Sequence, residues 1–308
     1  MRMRIPEAIW AMNHAKSGSD LTIGLAFGTL AAKECKSLQR ALAMKKQRQS
    51  GIHRARKSCR RLRSLLVFIG PKPTKQAIVL DNTLRELLRG LSALRDAHIA
   101  KRTARLLASA HETTLTPVLL AALQKHSTTL LRDALKADPD WRRKRYKAER
   151  LAIQFQRLPW QEIHPSWVKE VIALSAKRVK KTRKRATDQR APDAFHRWRR
   201  RARKLRYQLE LASHARKLAG MKKAPSKRYA ERAEKLALVT DRLGWRQDFQ
   251  VFLQTLDQLA DTCVDAAASS AALKRKSSEL SLRANVSGRK TRTGHAYIAR
   301  ESAYPPGT

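Results

Sequence analysis

Acidic residues are scarce in this chain. Among 308 residues, 25 aspartates and glutamates face 67 lysines and arginines, a formal charge of +42. Aromatic residues make up only 6%, and glycine and proline number 11 each. So few glycines and prolines exclude collagen-like and low-complexity architectures. The three cysteines, Cys35, Cys59 and Cys263, never fall in CxxC or CxxxC spacing. That leaves neither a disulfide framework nor a zinc site, and it favours a reducing cell interior. Long apolar runs are missing too. The longest, residues 21–32, is interrupted by Thr22, Gly24, Gly28 and Thr29, too short and small-residue-rich to span a bilayer. It lies beyond Asp20 and lacks a clean cleavage pattern, so it reads as a helix start capped by Ser19 or Asp20.

Scarcity of acids also bears on chemistry. No Gly-rich phosphate loop, HExxH, GxSxG or close acid pair is present, and a two-metal hydrolase would lack ligands. The expectation is a protein that is not an enzyme and takes no cofactor and no metal. What the chain has is charge of one sign on a foldable background. With 42% hydrophobic residues it can build a core. A charge this high repels itself in a compact state, so a polyanion is the default partner: nucleic acid, a long polyphosphate, an acidic membrane surface or an acidic protein. Composition does not choose among them; the expectation reached from the whole sequence includes no membrane partner.

Apolar residues recur at three and four almost throughout, with no sustained alternation of period two, so the fold class is all-α. Helices are expected over about 20–48, 52–69, 75–91, 93–109 and 113–136, then 166–189, 193–219, 227–243, 247–263 and 266–284. Ser50-Gly51, Gly70 to Pro73, Asp138-Pro139 and Ala191-Pro192 mark the breaks. Three prolines in 138–165 make that region a connector holding a short helix near 141–156.

An internal repeat organises these helices. His53-Arg54-Ala55-Arg56-Lys57-Ser58-Cys59-Arg60-Arg61-Leu62-Arg63 aligns without a gap on His196-Arg197-Trp198-Arg199-Arg200-Arg201-Ala202-Arg203-Lys204-Leu205-Arg206. Six of eleven positions are identical, two more exchange Lys for Arg, and the offset is 143 residues (196 − 53). Downstream, Leu91 to Arg95-Asp96 matches Leu243 to Arg246-Gln247-Asp248 more loosely, at an offset of 152 (248 − 96). The expected organisation is a first helical half over 20–138, a connector at 139–165, a second half over 166–285 and a basic flexible tail at 286–308.

On a helical wheel the first copy separates into two arcs. His53, Arg54, Arg56, Lys57, Arg60, Arg61 and Arg63 share one half-circle; Ala55, Ser58, Cys59, Leu62, Leu65 and Leu66 share the other. The second copy sets His196, Arg197, Arg199, Arg200, Arg203, Lys204 and Arg206 against Trp198, Ala202, Leu205 and Leu209. Each helix thus buries one side and offers a cationic side about 15 Å long, uncompensated until Glu210. Surface helices ordinarily mix signs at i,i+4, so this pattern points to an anion site. Lys33, Lys36 and Arg40 form a similar stripe, as do Lys177, Lys181 and Lys184. If each half pairs its first two helices, these stripes face a groove, and two halves give a cleft or pore with cations on opposing walls. His53 and His196 lack metal-ligand neighbours and serve better as donors to an anion. Asp96 and Asp248 are solitary acids suited to orienting arginines or capping helices. His98, His111, His126 and His214 belong to no constellation.

These residues resemble the CHAD domain, an all-α family named for its histidines. The family pattern opens a basic helix with His and closes it as R-R-L-R in the first half, here Arg60 to Arg63. In the second half it closes as K-x-L-R-Y, here Arg203-Lys204-Leu205-Arg206-Tyr207. The segments ending at Arg95-Asp96 and Asp248 are similar to the family's following motifs. Arg246-Gln247 departs from a stretch usually richer in acids or amides, and Arg201 stands where an apolar residue is usual. The resemblance covers about 20–285. It implies two helical bundles of four to five helices each, related by a pseudo-twofold repeat, around a basic central pore that binds inorganic polyphosphate. The pore would draw on Lys33, Lys36, Arg40, His53, Arg56, Lys57, Arg60 and Arg63. From the second half it would add Lys177, Lys181, Lys184, His196, Arg199, Arg200, Arg203, Lys204, Arg206 and Tyr207. Arg95, Asp96, Arg246 and Asp248 would support them. It also implies a non-catalytic, stand-alone binding module, cytoplasmic and targeted to polyphosphate granules, or nuclear or nucleolar in a eukaryote. Nucleic acid stays the secondary partner, since only Trp198 and Tyr207 interleave with the basic motifs for base stacking.

Overall fold

A computed structural model of the chain describes residues 21–70, 74–109, 116–261, 263–272 and 274, and every regular element among them is helical. The helices are α1 (Ile23–Ala43), α2 (Arg48–Leu65), α3 (Lys75–Gly90), α4 (Ser92–Ser109) and α5 (Pro117–Ala137). They continue as α6 (Arg142–Gln156), α7 (Pro165–Gln189), α8 (Pro192–Leu218) and α9 (Lys223–Leu259). A further helical stretch covers 264–272, where a helix over 266–284 was expected. The basic tail and the proposed caps Ser19 and Asp20 lie outside the described residues. Among the described residues, no helix is long and apolar enough to cross a membrane.

Helix ends follow local chemistry. Thr22 caps α1, its hydroxyl accepting from the Leu25 N–H at 3.3 Å, and Thr74 caps α3 in the same way from Ala77. Arg190 takes a left-handed φ of 51° to end α7, and Pro192 supplies the pre-set first position of α8. The connector folds on two acids. Asp138 accepts from the Arg143 N–H and from Lys144 at 2.9 Å each, fixing the start of α6. Asp140 accepts from Lys45 at 2.7 Å and Arg48 at 3.0 Å, tying the connector to the α1–α2 turn. Arg48 also lies 4.8 Å from the centre of the fully buried Trp141 ring.

The small residues of α1 have a packing role. A Cβ on Gly24 would stand 1.9 Å from the Trp160 carbonyl oxygen, and one on Gly28 would stand 3.1 Å from the Trp160 ring. The Gly-rich run that is too broken for a membrane is therefore a socket for the connector. One expectation fails at the other end of the chain. The helices expected over 227–243 and 247–263 are one helix, α9, which ends at Leu259. A lone glycine weakens a helix by about 1 kcal/mol without removing a hydrogen bond, so Gly244 does not break it.

The chain separates into two packed units. Among the described residues, the first draws on 21–95 and 129–247, the second on 96–128 and 248–274. Each draws on chain from before and after the connector. Phe27, Leu42, Ile52, Leu62 and Phe68 are among the fully buried residues of the first core. The second core is smaller and includes Ala100, Leu107, Leu119, Phe252 and Leu256.

Candidate functional site

Within the first unit, α2 and α8 pack on each other and both pack on α1. Their apolar sides are used up in the core: Ile52, Ala55, Cys59 and Leu62 from α2, and Ala202, Leu205, Leu209 and Ala212 from α8. The cationic sides are left, and they meet. Burial pushes the Arg203 guanidinium down from its ordinary range, and the like charges of Arg60, Arg199 and Arg56 push it further. Lys204 is pushed down to about 8 from an ordinary 10.5, first by burial and then by Arg63, with Arg201 and Arg178 adding to it and Asp81 partly offsetting them.

Acids from other helices neutralise the edges of this cluster. Arg61 holds Glu34 of α1 and Glu210 of α8, each at 2.5 Å. Arg63 pairs with Asp81 of α3 at 2.6 Å. Arg206 pairs with Glu210 at 2.8 Å and reaches Asp241 at 3.7 Å. The uncompensated face read from a single helical wheel is thus shorter in the folded chain, because a wheel cannot see acids arriving from neighbouring helices. At the centre, Arg203 and Lys204 make no hydrogen bond or ion pair with any described residue.

Two arginines are clamped by backbone. Arg56 donates from Nη1 to the Leu88 carbonyl at 2.8 Å and to the Ser92 hydroxyl at 2.9 Å, closing the end of α3. Arg199 donates from Nε to the Thr240 carbonyl at 3.5 Å. Its Nη2 lies 3.0 Å from where a Cβ on Gly244 would be, so the glycine makes room for the guanidinium. The His196 Nδ1 hydrogen-bonds the side-chain oxygen of Gln247. Arg246 stacks 4.1 Å above the Phe195 ring.

A family model for the CHAD domain matches residues 30–257. The chain belongs to the CHAD-domain family. A crystal structure of the CHAD domain from the plant Ricinus communis superposes with a TM-score of 0.62. It is 22% identical and covers 82% of this chain and 83% of its own, a likeness of fold. Comparison with curated proteins yields no match.

Set on this CHAD fold, the sequence-selected residues fall into three groups. Arg56, Arg60, Arg63, Arg199, Arg203, Lys204 and Arg206 come together as described, while His53, Lys57 and Arg200 stand exposed at the margin. Lys33, Lys36 and Arg40 line an open groove of about 700 Å³ along α1, joined there by Arg54 of α2. Lys177, Lys181 and Lys184 are exposed, on the side of α7 opposite its buried Val168, Ile172 and Ala186. They do not join the cluster. Arg178, one residue along the stripe, reaches it through Lys204 instead.

Tyr207, expected at the anion site, is buried, with Arg61 at 5.6 Å and Arg206 at 5.7 Å from its ring centre. The K-x-L-R-Y motif marks it, but its side chain serves as a platform for two arginines. Arg95, Asp96 and Asp248 are half-buried; Arg95 belongs to the first unit and the two aspartates to the second. Glu34, Asp81 and Gly244 were missed as partners of the basic helices, since no spacing rule links residues so far apart; Glu210 stands four residues from Arg206, and only its reach across to Arg61 was hidden. Burial pushes the Cys35 and Cys59 thiols up to about 12, so neither is an available thiolate at neutral pH.

Proposed function

We propose that this CHAD-family protein binds inorganic polyphosphate, without catalysis, at the basic cluster where α2 meets α8. The observation that carries this reading is the pair Arg203 and Lys204, half-buried among like charges and without an ion pair among the described residues. Burying charge without a counter-charge is unfavourable, and an anion entering the cluster relieves it. Long-chain polyphosphate suits such a site because it carries consecutive charges and can contact both helices at once, which separate phosphate ions cannot do.

The clamps on Arg56 and Arg199 support the reading of the fold as a repeat. The two arginines are 143 residues apart (199 − 56) and their carbonyl partners 152 apart (240 − 88), the same offsets found by aligning the motifs. Each half contributes one wall of cations, which is the simplest form of a basic cleft. Residence at polyphosphate granules follows from that ligand.

Competition in solution tests the proposal. Long-chain polyphosphate should displace duplex or single-stranded nucleic acid at equal phosphate concentration, and nucleic acid should not displace polyphosphate. The opposite ranking makes the protein a nucleic-acid binder using the same arginines. Incubation with polyphosphate and magnesium should leave chain length unchanged; shortening would revive a phosphohydrolase. A fluorescent fusion should gather at granules and disperse when the cluster is neutralised.

A further inference from the structure

Three of the described lysines are half-buried, Lys101, Lys144 and Lys204, and the others stand exposed. Lys144 is neutralised by Asp138 at 2.9 Å, and Lys101 belongs to the second unit. Lys204 is therefore the half-buried lysine of the first unit that has no ion pair among the described residues. The acid that bears on it, Asp81, is already held by Arg63 and by Arg85, each at 2.6 Å. Arg63, Arg201 and Arg178 crowd the amine with like charge. Arg178 and Arg201 are exposed, and neither guanidinium pairs with an acid among the described residues. An amine desolvated beside other cations spends part of its time neutral, and the neutral amine is the nucleophile. Solvent-facing guanidiniums next to it are good holders of a phosphate group.

We propose that Lys204 is a self-acylating lysine, which takes the acyl group of a small acyl phosphate whose phosphate docks on Arg178 and Arg201. The Nζ atom attacks the acyl carbon, and a C–N bond forms. The bond from that carbon to the bridging phosphate oxygen breaks, and the oxygen leaves with its electron pair. The surplus proton of the amine passes to the departing phosphate, so the products are an amide and hydrogen phosphate. An acyl phosphate is singled out because it joins the anion that arginines bind to the electrophile that an amine attacks. At pH 7.5 an amine titrating at about 8 is roughly one-quarter neutral, whereas an ordinary lysine is about 0.1% neutral. Acylation removes the charge of Lys204. That it thereby weakens polyphosphate binding rests on the polyphosphate reading of the cluster.

Site-resolved mass spectrometry of the full chain tests this, after incubation with acetyl phosphate at about pH 7.5 and without polyphosphate. Lys204 should gain an acetyl group at least about tenfold faster than Lys75, Lys169 and Lys235, which are exposed and act as references within the same molecule. Acetic anhydride, which carries no phosphate, should show a smaller preference for Lys204. The double change Arg178→Gln/Arg201→Gln should slow acetylation of Lys204 severalfold and leave the reference lysines as they were, with helical content retained by circular dichroism. A rate at Lys204 no greater than at the references overturns the proposal. Equal preference with acetic anhydride overturns it too, because the phosphate would then have no part in docking. Polyphosphate added beforehand should protect Lys204. Preferential acetylation that polyphosphate does not block would uphold the acylation site and refute the polyphosphate site, so the two readings fail separately.

Discussion

Arg203 and Lys204 are neighbours on one helix, yet they respond to charge differently. A guanidinium stays protonated through the accessible pH range, so the repulsion around Arg203 is carried by the fold. Replacing Arg203 with Leu should raise the stability of the ligand-free protein, on the order of 1 kcal/mol, while lowering affinity for polyphosphate. Stability falling together with affinity would mean that Arg203 is held by favourable contacts. Lys204 can release its proton. Its folded value of about 8 lies below the ordinary 10.5, so between those values the unfolded chain holds more protons than the folded one. Stability of the free protein should therefore rise with pH from about 8 towards 10.5, and the penalty of charging Lys204 is fully present below 8. A bound polyanion favours the charged amine, so binding near pH 8 should take up protons and weaken as pH rises. Calorimetry in two buffers of different ionisation heat measures this directly. Lys204→Arg should bind with no proton uptake; persistent uptake in that variant would place the titrating group elsewhere.

At the scale of elements, α9 separates two opposing effects of one glycine. Gly244→Ala gains about 1 kcal/mol of helix propensity. The new Cβ would meet the tip of Arg199 at 3.0 Å, a flexible end that can move. The expected outcome is an unchanged or higher melting temperature with weaker polyphosphate binding. Gly24→Ala should behave in the opposite way. Its Cβ meets the Trp160 carbonyl, which is backbone, so destabilisation of about 1–3 kcal/mol is expected, seen as a lower melting temperature. The contrast shows what the sequence could disclose. Periodicity found nearly every helix, and the Arg-rich motifs found α2 and α8, because both signals are local. The union of two expected helices in α9, the outward stripe of Lys177, Lys181 and Lys184, and the burial of Tyr207 were not legible. Each depends on which face a neighbouring element covers, and that is decided by contacts between residues far apart in the chain. The acids Glu34 and Asp81, and the reach of Glu210 to Arg61, belong to the same category.

For the molecule as a whole, clustered cations should dominate the thermodynamics of binding. Log affinity should fall steeply and linearly with log salt concentration as counterions are released. Polyphosphate at about 100 times its dissociation constant should add roughly 2.7 kcal/mol of stability, a shift of several degrees in melting temperature. Orthophosphate at matched phosphate should do far less; an equal shift would mean scattered single-ion sites. Neutralising Arg60 or Arg203 should each reduce affinity about tenfold. Changes at Arg63 and Arg206 should also cost stability, because Asp81 and Glu210 each lose one of two partners.

The socket on α1 also sets a clock. Gly24 and Gly28 receive Trp160, a residue 136 positions further along the chain (160 − 24). A ribosome working at about 5–20 residues per second needs roughly 7–27 s to make that stretch. Until then the Gly24–Gly28 socket of α1 has no occupant, and a nascent chain halted before the connector displays it to chaperones and proteases. A release product ending at residue 138, before Trp160 is made, should therefore behave as a loose, protease-sensitive species although it contains a complete copy of the first basic helix. Synthesis order, as much as sequence symmetry, decides when this protein becomes a folded unit.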